Sequence, residues 1–253
     1  MKNFIFKIDH WVAKMFHEIY LWGGEFSNSV MEGISLIAEA GILFLLVGFG
    51  LALFKRTRKI GGTILGAVAI GFILTNVVLK NLFERARPFE NIYSDFFGWW
   101  LSAGAINEGG FSFPSGHTTA TTAFAVAIFL TTNKKYSWPI LLLPLLMASS
   151  RIYLMAHYFS DCVGGIIVGT IAATLSYLIV KWIYKSNIKF FVWLKEFNIF
   201  KTRQKTKAPK TSSTEENSSD YVYTTQADEQ ASANQEIEQN DEKGAQSTSD
   251  DKQ

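Results

Sequence analysis

The stretch "SRIYLMAHYFSD", residues 150–161, lies between the apolar runs "WPILLLPLLMAS" (138–149) and "CVGGIIVGTIAATLSYLIV" (162–180). An arginine, a histidine and an aspartate are costly at the edge of segments of that length and polarity, and ionisable groups placed there point to function. The flanking runs set the scale of the fold. A helix that crosses a bilayer needs about 20 mostly apolar residues. Five segments approach that requirement: 34–54, 60–79, 118–131, 138–153 and 163–183. The third and fourth are short or interrupted. The expected fold class is therefore all-α, a polytopic membrane helix bundle of about five spans.

Composition divides the 253-residue chain. Apolar residues make up 48% of it, yet Leu, Ile, Phe, Val and Gly nearly vanish beyond residue 200. Residues 1–30 show Ile5, Trp11, Val12, Met15, Phe16 and Ile19 near helical spacing, interrupted by Asp9, Lys14, His17 and Glu18. This pattern predicts an amphipathic interfacial helix; a sixth, poor span is the alternative. The apolar run "FIF" is too short for a secretory signal. Residues 31–187 form the expected transmembrane domain. Residues 188–205 are basic and aromatic, which reads as an interfacial segment on an anionic leaflet or as a plain stop-transfer flank. Residues 206–253 are polar and acidic, too poor in apolar groups to offset the entropy of ordering, so a disordered tail is expected.

Short loops orient the bundle through their Lys and Arg content. "FKRTRK", "NKKYS" and "KWIYKSNIK" alternate onto one side, which is then cytoplasmic with the tail. The stretch 150–161 and the loop 85–113 fall on the outer side. A plasma membrane location with an outward-facing site follows as an expectation. The single cysteine, Cys162, excludes an intrachain disulfide. Basic residues are not interleaved on one surface, so no nucleic-acid partner is expected.

Three polar clusters share that outer side. In "KNLFERARP" (80–88), Lys80 and Arg87 are seven apart and can share a helix face. Arg85 is off that face, with Glu84 available to pair with it. A snorkelling basic flank is the bland alternative. In "GGFSFPSGHTTATTAF" (109–124), Pro114, Ser115 and Gly116 lead into a helix starting near His117. A helix N-terminus favours an anion, Gly116 permits close backbone approach, and Ser115 offers a hydroxyl. A simple capping turn with an incidental histidine competes. In the opening stretch, His157 and Asp161 are four apart, which allows the carboxylate to orient the imidazole. Arg151 brings a planar fork suited to phosphate oxygens.

Taken together, Lys80, Arg87 and Arg151 with a helix N-terminus describe an anion site. A His–His–Asp zinc centre is the rival reading, but fixed cations would repel a metal. Phosphoryl transfer requires charge neutralisation, in-line geometry and a proton for the leaving group. His157, as the Asp-oriented imidazole, takes the nucleophile's place, and His117 that of the acid–base group.

The ordered set Lys80-x6-Arg87-Pro88, Pro114-Ser115-Gly116-His117 and Ser150-Arg151-x5-His157-x3-Asp161 resembles the three-part signature of the type 2 phosphatidic acid phosphatase (PAP2) superfamily, over roughly residues 30–185. The resemblance implies a metal-independent phosphatase with no cofactor and a phosphohistidine intermediate. It implies His157 as nucleophile, Asp161 as its partner and His117 as acid–base residue, with phosphate held by Lys80, Arg87, Ser115, Gly116 and Arg151. Relatives include soluble vanadium haloperoxidases; the apolar spans favour the lipid phosphatase branch. Many membrane relatives have six spans, and Met155, Ala156 and Phe159 stand where relatives often carry Gly and Pro. The expected substrate is a bacterial lipid phosphate, first undecaprenyl diphosphate, then phosphatidylglycerophosphate or phosphatidic acid. A non-catalytic binder or transporter of phospholipids, or a membrane anchor for the tail, would use the same charges differently.

Overall fold

The structure is a computed structural model that describes residues 2–37 and 41–186. The expected basic segment (188–205) and acidic tail (206–253) lie outside the described residues. Among those described, the secondary structure is helical with no strand.

Helix α1 (Lys2–Ile37) bends at Gly24, whose φ of 52° and ψ of −139° suit glycine alone. The boundary expected at residue 30 falls inside this helix. Its buried side is not only an interfacial face. Ala13 packs with Phe96 and Met155, while Val12 and Phe16 cover Ala148, Ile152 and Cys162. Phe4, Trp11 and Trp22 point outward.

The expected segment 34–54 is not one helix. Helix α1 ends at Ile37, and α2 (Ile42–Leu53) restarts after Gly41, which adopts a left-handed φ of 71°. Twelve residues rise only about 18 Å. Helix α3 (Arg58–Phe72) continues through a π-helical segment (Ile73–Leu79) into the single turn α4 (Lys80–Phe83). The rest follows as α5 (Asp95–Ser102), α6 (Gly116–Thr131), α7 (Lys134–Ser137), a 3-10 turn (Trp138–Leu142), α8 (Leu143–Tyr153) and α9 (Phe159–Lys185). Two stretches, Arg58–Glu90 and Phe159–Lys185, are long and apolar enough to cross a membrane.

The core joins α3, α6 and α9, with α2 and α8 outside them. Ile64, Ala67, Val68, Ala123, Phe124, Ala127, Met147 and Ala173 fill it, and the rings of Phe44 and Phe124 stack at 4.5 Å. Close approach of α9 to α6 depends on the small pair Gly165 and Gly169. A Cβ on Gly169 would stand 2.6 Å from both Thr119 O and Thr122 Cβ. Large apolar side chains face the other way: Leu46, Phe49, Phe72, Ile167 and Trp182 are all exposed. Small residues and threonines inside with bulky hydrocarbon outside is the packing a lipid solvent favours.

Candidate active site

The π-helical segment ends where the site begins. Its Thr75 hydroxyl is tied to Thr119 Oγ1 of α6 at 3.1 Å, which fixes the direction in which Lys80 leaves α3. The helix then stops at Phe83. Glu84 takes a left-handed conformation (φ 43°), and Arg87 is extended ahead of Pro88. Contrary to the expectation from their spacing, Lys80 and Arg87 therefore do not share one helical face. They converge because the chain turns back on itself, and both line one cavity.

Ser115 caps α6. Its Oγ accepts from Thr118 N at 3.4 Å and from Thr118 Oγ1 at 3.0 Å. Its backbone N–H donates to Asp161 O at 3.1 Å, joining the start of α6 to the first turn of α9. Ser115 is buried and does not line the cavity, whereas Gly116 and His117 do.

His157 follows the end of α8. Met155 turns the chain with a φ of 52°, unusual for a side chain of its size, and is held by Ala13, Phe96 and Trp99. The N–H groups of Ala156 and His157 both return to Arg151 O, at 3.2 and 3.3 Å. Asp161 caps α9 by accepting from Tyr158 N at 2.9 Å. His157 Nδ1 lies 3.7 Å from Asp161 Oδ2, within ion-pair range but beyond a hydrogen bond. Ser112 Oγ sits between them, 2.5 Å from Asp161 Oδ2 and 3.5 Å from His157 Nδ1. The expected Asp–His contact is thus bridged by a serine.

The cavity has a volume of about 340 Å³. Lys80, Arg87, Glu108, His117 and His157 line it together with Thr75, Asn76 and Thr119, and Val68, Phe72 and Ala120 add apolar surface. A second cavity of about 450 Å³ shares Glu108 and His117 and is bounded by Glu32, Ser35, Asn107 and Arg151. Glu108 is the wall between them. Arg87 donates Nη1 to Glu108 Oε2 at 2.9 Å and to Ala156 O at 3.0 Å, while Nε reaches Gly110 O and Nη2 reaches Gly109 O, each at 2.9 Å. Arg151 donates to Glu108 Oε1 and to Ser35 Oγ, and its buried Nε has no partner. The two phosphate-binding candidates thus already hold an anion, the carboxylate of this protein's own loop.

The electrostatics follow from that geometry. Burial raises the Glu108 carboxyl, but Arg151 first, then His157, His117 and Arg87, outweigh it and hold the group down to about 2. Burial pushes His157 down to about 4, against the opposing pull of Asp161 and with the help of Arg151 and Arg87. His157 is therefore neutral at neutral pH, the form in which a ring nitrogen can attack.

Sequence reasoning missed four residues. Glu108 is the one acid between Gly104 and Gly110, a signal that a lone carboxylate in a glycine-rich loop supplies. Ser112 lies five residues before His117 and carried no pattern. Arg85 does not turn to Glu84; it pairs with Asp161 Oδ1 at 2.6 Å and with Asp9 Oδ2 at 2.8 Å. Asp9, read as an interruption in an amphipathic face, is fully buried.

Comparison with known proteins bears on the whole arrangement. The sequence profile of the PAP2 superfamily matches residues 61–185. Phosphatidylglycerophosphatase B of Bacillus subtilis is 33% identical over 153 residues, 56% of this chain and 70% of that protein. Undecaprenyl-diphosphatase BcrC of the same organism is 29% identical over 64% of this chain and 82% of its own. The crystal structure of the transmembrane PAP2-type phosphatidylglycerolphosphate phosphatase from B. subtilis superimposes with a TM-score of 0.54 at 22% identity, over 74% of this chain and 90% of that one.

Proposed function

The chain belongs to the PAP2 superfamily, and from that premise we propose that it hydrolyses a lipid phosphate or diphosphate at the outer face of a bacterial cell membrane through a phosphohistidine, without a metal ion. The chain is an enzyme, a phosphatase of lipid phosphates. Undecaprenyl diphosphate is the leading substrate, ahead of phosphatidylglycerophosphate and phosphatidic acid. Relatives named for different lipids share the same reaction class, and the apolar lining at Val68, Phe72 and Ala120 supports a lipid stem without choosing among them.

In the proposed cycle, phosphate enters the seat now held by Glu108. Its oxygens take the donors of Arg87 and Arg151, with Lys80 and the backbone of Gly116 completing the cradle. His157 Nδ1 faces Asp161 through Ser112, so Nε2 is the nitrogen free to attack phosphorus. As the N–P bond forms, the P–O bond to the leaving group breaks, the ester bond of a monophosphate or the bridging bond of a diphosphate, and His117, protonated beside the bound phosphate anion, gives its proton to the departing oxygen. His117 then takes a proton from water, whose oxygen attacks the phosphohistidine and releases inorganic phosphate and free His157. The observation that carries this reading is that both histidines line one cavity in which Arg87 already binds a carboxylate, shared with Arg151 of the adjoining cavity.

The proposed topology has five membrane-crossing segments, with α1 at the outer interface and residues 188–253 on the cytoplasmic side. The outward apolar faces of α2, α3 and α9 support it. The test of function is phosphate release from each of the three lipids by purified protein in detergent with excess chelator, in the wild type and in His157→Ala. Turnover only in the wild type, undiminished by chelator, supports the proposal. Turnover abolished by chelator overturns it.

A further inference from the structure

Asp9 is a charged residue with 0% of its surface exposed, on a helix whose sequence reads as a surface element. Its Oδ1 accepts from Ser160 N at 2.8 Å. Its Oδ2 accepts from Ser160 Oγ and from Arg85 Nη2, each at 2.8 Å. Arg85 directs its other terminal nitrogen, Nη1, to Asp161 Oδ1 at 2.6 Å and to Ser160 Oγ at 2.7 Å. The guanidinium carbon lies 4.0 Å from the centre of the Tyr158 ring. One guanidinium therefore spans two buried carboxylates, one on α1 and the other beside His157.

We infer that Asp9 is a positioning residue for the reaction: by holding and neutralising Arg85, it fixes the Asp161 carboxylate and leaves its negative charge free to act on His157. This rests on the phosphohistidine reading above. The charge count carries the inference. Asp9, Arg85 and Asp161 sum to one negative charge. Asp161 Oδ1 is taken by Arg85, and Oδ2 is the oxygen turned toward His157 Nδ1. Phosphorylation at Nε2 leaves the ring cationic with a proton on Nδ1, and Asp161 is the anion that offsets that charge. Without the Asp9 charge, Arg85 neutralises Asp161 alone. The sum falls to zero, and the cationic ring loses its counter-charge.

A stapling ion pair between α1 and α9 is the bland account of the same contacts, and it makes a different prediction. A staple alters stability and leaves turnover per folded molecule unchanged. A charge relay lowers kcat while sparing KM, because phosphate is seated by Lys80, Arg87 and Arg151, none of which is among the partners of Asp9. It also acts only through Arg85.

The experiment uses the full chain in detergent with phosphatidic acid and undecaprenyl diphosphate as substrates, rates being normalised to folded protein by thermal melting. Asp9→Asn is expected to lower kcat about tenfold with KM within about twofold, the size of a rate effect from one weakened charge contact. In an Arg85→Gln background, adding Asp9→Asn is expected to change kcat by less than about twofold. Ser160→Ala, a milder loss of the same anchor, is expected to lower kcat about threefold and serves where Asp9→Asn does not fold. Wild-type kcat in folded Asp9→Asn or in Ser160→Ala, or an equal loss with and without Arg85, overturns the inference. His157→Ala separates it from the reading beneath: turnover in His157→Ala sinks the phosphohistidine itself, whereas a dead His157→Ala with an unimpaired Asp9→Asn sinks only the relay.

Discussion

The carboxylate of Glu108 accepts a 2.9 Å hydrogen bond from Arg87 Nη1, inside the cavity that His117 and His157 also line. An anion held in a cradle for anions competes with the substrate. Because the Glu108 carboxyl is held down to about 2, it stays charged throughout the neutral range and does not yield its place by protonation. Glu108→Gln keeps the shape and removes the charge. Repulsion between two unit charges a few ångströms apart in a partly buried site is worth about 3 kcal/mol. Orthovanadate and inorganic phosphate should therefore bind Glu108→Gln at least about tenfold more tightly, read as a lower inhibition constant. Unchanged or weaker inhibition would show that the carboxylate does not occupy the phosphate seat.

His117 is assigned to the leaving group, so its loss should depend on what leaves. With a lipid alkoxide, His117→Ala should lower kcat by about 10² to 10⁴. With p-nitrophenyl phosphate, whose leaving group needs no proton, release of nitrophenol should be affected far less, and slow breakdown should let phosphoenzyme accumulate. Rapid-mixing absorbance at both steps checks this; equal losses for the two leaving groups would remove His117 from that role.

The burial of His157 has a consequence for stability. Its folded pKa is depressed from 6.5 to about 4. Between those values the unfolded chain binds the extra proton, so stability rises with pH across that window. The contribution is fully present above pH 6.5 and is lost as pH falls toward 4. Melting temperatures measured from pH 7 to pH 4.5 should drop more steeply for the wild type than for His157→Gln, which has no proton to gain. Parallel curves would contradict the burial of a neutral imidazole.

Gly169 is where α9 touches α6 most closely. A valine there places Cβ 2.6 Å from Thr119 O, a backbone atom that cannot swing away. Overpacking of that kind costs about 1–3 kcal/mol. Gly169→Val should lower the melting temperature by several degrees, while Gly62→Ala, with only Val180 Cγ2 near at 4.0 Å, should leave it almost unchanged.

The proposed topology puts Lys135 and Tyr93, both exposed, on opposite sides of the membrane. In a Cys162→Ser background, Tyr93→Cys should react with an impermeant thiol reagent in intact cells, and Lys135→Cys only after lysis. The reverse pattern would invert the bundle.

The residues that line the two cavities were more legible in the sequence than the scaffolding that positions them. Lys80, Arg87, His117, Arg151 and His157 could be singled out because short local patterns carry them and because charge beside a long apolar run is conspicuous. All of them come to the two adjoining cavities. The first expected span overran because hydropathy is continuous through 34–54, while the left-handed Gly41 that breaks it leaves no trace in an apolar average. The Ser112 bridge, the Glu108 wall and the Asp9–Arg85 pair could not be read from periodicity. Asp9 meets Arg85 and Ser160 across 76 and 151 residues of chain, and only the packed fold makes them neighbours.

The central claim is a covalent bond between His157 and phosphorus, and rapid quenching tests it most directly. Enzyme mixed with radiolabelled lipid phosphate in the presence of chelator should yield protein-bound label that is acid-labile and base-stable. The label should map to the peptide containing His157 and be absent from His157→Ala. Turnover with no bound label at any time, or label on a different residue, would contradict the account.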